Sequence, residues 1–406
     1  MPPTGSQKLA VLLCKLEDTA DLEPEPVNYF RDLFVTKSTG GLNDYWTDAS
    51  LGGINLDTTE VFEWRTIEQN RADFLNARPD RGSKIQGAVD AFSLDRSQFA
   101  GVVALFNVGV GDSGAAGAGV LGAPGDYNVT FLAHETGHVF GFDHSFDQSG
   151  RKAETWSAPG EYYDKYDIMS AMNVFSHNHP RFGQRGPLLC TANLDRMGWL
   201  LSSRVWTGPI NGSFSECLDL VPLGHPEMPG YLAAQVGSYY VELRTQDRWD
   251  AGIPRPCVLI HAMYGTNATV IASDRANWVN DWQAGQSFGP SQAAMAIGGG
   301  IRIEVVSIDP SNMRARICVT RQAGRNDREG VLFVGSIAVG DGWVLLKDVL
   351  FRVPPKGGPL REVVDLAAQP GEFGGRDELL AALESGLLGD LGSIRTLIAA
   401  VKRRGI

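Results

Sequence analysis

The chain has 406 residues, enough at about 100–200 residues per domain for two or three domains with real hydrophobic cores. Hydrophobic residues make up 43% and charged residues 20%, a balance that excludes disorder as the dominant state. A formal charge of −11 leaves no basic field for a phosphate backbone and argues against nucleic acid as a partner.

The longest apolar runs, such as 9–14 and 101–106, fall far short of the roughly 20 residues that span a bilayer, so no transmembrane segment is expected. The first ten residues, MPPTGSQKLA, lack the basic start, apolar middle and small-residue cleavage site of a secretory signal, and an export signal is expected to be removed or of another kind. Cys14, Cys190, Cys217, Cys257 and Cys318 show no C-x-x-C spacing; they allow at most two internal disulfides and leave the redox compartment open.

In chain order, residues 8–14 read as a buried strand, and 24–39 as a helix after a proline start, with Val27, Phe30 and Phe34 on one face. Residues 99–109 form a continuous apolar run, as expected of a central strand covered on both faces. The glycines, 48 in all against an average near 7%, cluster at 109–125 and 296–300; the first cluster matches no phosphate-binding motif and reads as a mobile loop. From about 205 short β-type runs at 239–244, 257–264, 268–273, 301–308 and 315–320 predict a β-sandwich. After the polar stretch 321–330, a hairpin around Gly-Asp-Gly and two amphipathic helices over 376–406 are expected; those helices pack on their own domain or pair with a partner chain.

One segment carries chemistry: His134, Glu135, His138, Gly141 and His144 in HETGHVFGFDH. Asn128 can cap a helix on which His134 and His138, one turn apart, face the same way. Gly141 suits a left-handed helix end that turns His144 back toward them. Three imidazoles leave a fourth tetrahedral position open to water, the arrangement of a catalytic rather than a structural zinc. Glu135 does not ligate; it is the candidate general base that takes a proton from that water and passes it to a leaving amine. A buried helix with incidental histidines explains neither the glycine nor the third histidine.

At these residues the sequence resembles the metzincin clan of zinc metallopeptidases, marked by H-E-x-x-H-x-x-G-x-x-H and a downstream Met-containing turn. YDIMSAMN at 166–173 supplies the turn, with Met169 as the floor of the metal site and Met172 as its rival. Where many relatives carry a tyrosine two residues after that methionine, this chain has Ala171, so another group must stabilise the oxyanion; Tyr162, Tyr163 and Tyr166 are candidates, with aromatic packing as their default role. The stretches 40–56, 194–200 and 239–261 are similar to immune-inhibitor-A-type and gametolysin-like secreted metalloproteases, a resemblance that covers about residues 8–320 and favours an extracellular location.

The resemblance implies a zinc-dependent endopeptidase acting on protein or peptide. Its expected architecture is an α/β (α+β) catalytic domain with a mixed twisted sheet and an active-site helix over 1–203, a β-sandwich over 204–322 and a small C-terminal α+β unit over 323–406. Relatives also bind calcium, for which Asp164 and Asp167 could serve, although no D-x-[DN]-x-[DN]-G loop is present. His177 and His179 could line the cleft or sit in a solvated loop, and His225 and His261 read as structural. The competing readings are a catalytically silent protein whose β-sandwich holds protein or glycan, against which the intact Glu135 counts, and a hydrolase of an amide other than the peptide bond.

Overall fold

The computed structural model describes residues 2–322 apart from 172, 210–211, 292–293 and 296–299. Beyond them it describes the backbone of five short strands, Val331–Val334, Ile337–Val339, Gly342–Val344, Val349–Arg352 and Arg361–Asp365. Ile337–Val339 pairs antiparallel with Gly342–Val344 on either side of the expected turn. The two helices expected over 376–406, Met172 and most of the 296–300 glycine run lie outside the described residues.

The described residues form a mixed α/β fold with several mixed sheets and few helices. In the first 140 residues the strands are β1 (Gly5–Ser6), β2 (Leu9–Leu16), β3 (Ile54–Asn55), β4 (Glu60–Ile67), β5 (Gly101–Phe106), β6 (Gly114–Ala116) and β7 (Gly119–Gly122). The helices there are α1 (Val27–Phe34), α2 (Leu42–Ala49), α3 (Arg71–Ala77), α4 (Arg81–Phe92) and α5 (Val129–Val139). The main sheet runs β4-β2-β5-β7-β6, parallel except for β6, which is antiparallel to β7 at the edge. Alternation along β2 and β5 sorts their side chains between two cores. Leu9, Val11, Leu13, Val103 and Leu105 meet Phe30, Trp46 and Leu132 of α1, α2 and α5. Ala10, Leu12, Cys14, Val102 and Phe106 meet Phe74, Ile85 and Val89 of α3 and α4. Helices on both faces are why these strands read as unbroken apolar runs.

The glycine-rich stretch 109–125 is not the loop that its composition suggests. It contains β6, β7 and the hairpin between them. Small residues are needed here because neighbours come close: a Cβ on Gly119 would lie 3.0 Å from Ile85, and one on Gly122 3.0 Å from Leu105. Packing, not β-propensity, makes these strands.

The chain then passes through β8 (Phe146–Asp147), the hairpin β9 (His177–His179) and β10 (Gly183–Arg185), and the short helix α6 (Thr191–Arg196). Nine strands follow: β11 (Val205–Thr207), β12 (Phe214–Leu220), β13 (Ala233–Val236), β14 (Tyr239–Arg244), β15 (Cys257–Tyr264), β16 (Asn267–Val270), β17 (Ser287–Phe288), β18 (Gly300–Asp309) and β19 (Arg314–Gln322). They form a six-stranded sheet, β11-β13-β14-β15-β16-β8, and a four-stranded sheet, β12-β19-β18-β17. One core is shared by Val241, Leu243, Val258 and Ile260 of the first sheet and Leu220, Ile303, Ile317 and Val319 of the second. Cys217 and Cys318, directly opposed on β12 and β19, form a disulfide; Cys14, Cys190 and Cys257 are buried thiols. Among the described residues no helix is long and apolar enough to cross a membrane.

Through β8, which lies two residues after His144 and pairs with β16, the sandwich sheet reaches toward the histidine motif. Nearby, a fully buried Arg244 on β14 bonds Glu242 at 2.8 Å, Asp250 at 2.9 Å and the carbonyl of Leu189 at 2.8 Å. Glu242 in turn accepts from the Thr191 amide at the start of α6. Replacing Arg244 by methionine fills the volume but strands two buried carboxylates, an expected loss of about 3–5 kcal/mol. A fall in the urea midpoint at unchanged m-value, compared with wild type, checks it.

Candidate metal centre

The site is built on α5. The Asn128 side chain accepts from the Phe131 amide at 2.9 Å and caps the helix start, and His134 and His138 project from one face a turn apart. The helix stops at Gly141, whose φ of +94° is left-handed backbone that a side chain would strain, and the chain turns so that His144 comes back to the first two. Beneath the helix lies the short 3-10 turn Ile168–Ser170, with Met169 fully buried. A Cβ on Gly137 would sit 2.6 Å from the Met169 sulfur, so the helix approaches the methionine this closely because residue 137 is glycine.

Ligating atoms of His134, His138 and His144 lie within 4.8 Å of one another, and among the described residues no other group of three or more His, Cys, Asp or Glu does so. The Nε2 atoms of His134 and His138 are 3.1 Å apart. Each Nδ1 is taken up by an acceptor: His134 by the Ile168 carbonyl at 2.9 Å, His138 by the Phe142 carbonyl at 2.9 Å, and His144 by Glu161 at 2.5 Å. These acceptors place the ring protons on Nδ1 and leave three Nε2 lone pairs facing one another. Burial pushes the His134 imidazole well below the usual histidine range, and it lowers that of His138 as well. Neutral imidazoles are what a metal requires of these residues. The triad can hold a metal ion.

Glu135, the next residue along the helix, reaches toward the sheet edge, where its Oε2 accepts from the Ala115 amide of β6 at 2.6 Å. Burial pushes its carboxyl up to about 7, which outweighs the lowering by the Ala115 hydrogen bond. Both Glu135 and the triad line a cleft of about 1060 Å³, together with Ala171, Gln184 and Asp126. Of the three candidate tyrosines only Tyr162 lies among the residues lining this cleft; its Oη lies 3.1 Å from His144 Nε2, and burial raises its phenol above the ordinary range. Tyr166 is packed on Phe175, and Tyr163 lies under the Arg151 guanidinium. Trp156, 67% exposed, stands at the rim edge-on to Tyr162.

The remaining candidates fall outside the centre. His177 and His179 belong to the β9–β10 hairpin rather than to a solvated loop; His177 accepts from Arg185 at 2.8 Å, and His179 accepts from the amides of Arg181 and Phe182. Gln184, from the same hairpin, is the residue that reaches the cleft. His225 bridges Glu227 and Asp247, and His261 is buried against Asp164. All four oxygens of Asp164 and Asp167 accept hydrogen bonds from protein donors, among them the amides of Met169 and Cys190, so the pair serves as a structural hub and not as a cation cradle.

Glu161 and Gly137 escaped the sequence reading. A glycine inside a helical pattern is a signal of close packing that was available for Gly137; Glu161 has none, since 17 residues separate it from its histidine. The chain matches no family model, no curated protein and no solved structure.

Because Glu161 orients His144, Glu161→Ala is expected to weaken metal binding at the triad about 10–100-fold, and His144→Ala to weaken it more, with zinc as the probe ion. Competition with a chromophoric chelator measures both, with far-UV circular dichroism of the metal-free proteins unchanged.

Proposed function

We propose that this chain is a zinc-dependent endopeptidase of metzincin type, similar to the immune-inhibitor-A-type and gametolysin-like enzymes. The observation that carries the reading is the convergence of three Nδ1-anchored imidazoles on one face of α5, with Glu135, an adjacent carboxyl outside the ligand set, opening onto the same cleft. His134, His138 and His144 would hold the ion, Met169 would pack beneath it, and Gly141 would make the turn between the second and third ligands. Three histidines with an open fourth position fit catalytic zinc. When bound, zinc supplies Lewis acidity and brings the pKa of water toward about 7.

The chain's own groups do the rest. Glu135, with a carboxyl near neutrality, takes the proton of the attacking water at its free oxygen and returns it to the leaving amine. The phenol of Tyr162 stays protonated at neutral pH and donates to the oxygen that gains charge, the task that Ala171 cannot perform.

The test is cleavage of a mixed quenched-fluorescent peptide library by zinc-loaded wild type, Glu135→Ala and Tyr162→Phe. Glu135→Ala is expected to keep its zinc and lose about 10²–10⁴-fold in turnover. Tyr162→Phe is expected to lose about 100-fold in kcat with KM nearly unchanged. No cleavage by wild type, or equal cleavage by Glu135→Ala, would overturn the reading.

A further inference from the structure

The edge strand β6 is gripped from its open side. Ala115 lies opposite Val120 in the β6–β7 pair, yet its amide donates to Glu135 and its carbonyl accepts from Arg81 Nη1 at 2.9 Å, so both main-chain groups face away from the sheet. Arg81, the first residue of α4, is itself held by two hydrogen bonds to Asp112, Nη2 to Oδ1 at 2.8 Å and Nε to Oδ2 at 3.0 Å. Asp112 also accepts from the Ser113 amide at 2.8 Å, so its carboxylate is braced by the segment leading into β6. Gly114 completes the fit: a Cβ there would lie 2.6 Å from the guanidinium. A half-exposed ion pair contributes little to folding, so stability alone gives weak reason for this arrangement. Its geometric consequence is larger. Ala115 sits between the two side chains, with its carbonyl oxygen on Arg81 and its own amide on the Glu135 carboxylate.

We propose that Arg81 is a positioning residue: clasped by Asp112, it holds the Ala115 carbonyl, and through that residue the Ala115 amide holds the Glu135 carboxylate at the cleft. This rests on the reading of Glu135 as the proton carrier. The hydrogen bonds of Arg81 go to Asp112 and Ala115 and to none of the three histidines, so its removal is expected to leave zinc content unchanged.

The experiment compares full-length wild type, Arg81→Ala and Asp112→Asn by amide hydrogen exchange resolved at Ala115, by zinc content, and by steady-state kinetics on the peptide that wild type cleaves fastest. With the clasp gone, Ala115 exchange is expected to quicken about tenfold or more while β15 exchange stays unchanged. For Arg81→Ala, kcat is expected to fall about tenfold to 100-fold with KM within about twofold, the pattern of a misaimed group rather than of lost substrate binding. Asp112→Asn shifts both readouts in the same direction by less, and it decides the matter if Arg81→Ala does not fold. Unchanged Ala115 exchange, or a loss confined to KM, overturns the proposal. If wild type cleaves no peptide, the peptidase reading fails, while the exchange comparison still decides whether Arg81 holds the strand that holds Glu135.

Discussion

Three imidazoles can offer lone pairs to one point only if something else takes the proton on the opposite side of each ring. In this protein the three acceptors come from three places: the carbonyl of Phe142 in the turn after α5, the carbonyl of Ile168 in the 3-10 turn beneath the helix, and the carboxylate of Glu161 in the loop beyond β8. The helix alone orients one ring through its own C-terminal turn. The other two depend on segments 34 and 17 residues away in sequence, and most of the surrounding packing serves to bring those segments in.

That dependence explains why buried charge is concentrated beside the site. Asp167 accepts from the Met169 amide, which shapes the turn that presents the Ile168 carbonyl, and from Cys190 and Asn193, which tie the turn to α6. Helix α6 is held to β14 through Thr191 and Glu242, and Glu242 is compensated by Arg244. An apolar core could supply more stability than such a network, but it could not fix the direction of a carbonyl. The sandwich therefore reaches the first histidine through hydrogen bonds and the third through β8 and Asn267, whose side chain bonds the His144 carbonyl at 3.0 Å.

What could be read from the amino acids follows from range. The histidine motif, its helix and Gly141 lie within a few turns of chain, where helical periodicity and left-handed backbone are local rules, and β2, β5 and the later strands announced themselves by apolar runs. Met169 was legible only in combination with the motif. The 109–125 hairpin was not, because glycine and alanine carry no strand signal; its strands exist through contacts with Ile85, Leu105 and other residues that sequence order does not bring near. Choosing Tyr162 among three tyrosines, and noticing Glu161 at all, required the path of the loop from 148 to 160.

That loop ends in a strained step whose purpose is visible in what the two residues after it do. Glu161 and Tyr162 are neighbours in sequence, yet they address the two nitrogens of the same ring, Glu161 at His144 Nδ1 and Tyr162 at Nε2. In extended chain consecutive side chains point to opposite faces, so an extended step here would send Glu161 and Tyr162 apart. Tyr162 resolves this with a φ of +65°, left-handed backbone that costs a residue other than glycine about 1–2 kcal/mol. Hydrogen bonds on both sides hold the step, from the Tyr162 amide to the Ser145 carbonyl and from the Ala158 amide to Glu161. Glycine at 162 would relieve the strain but remove the phenol. The chain keeps the strained tyrosine, as it would if that phenol's position beside the third histidine were worth more than the strain it costs.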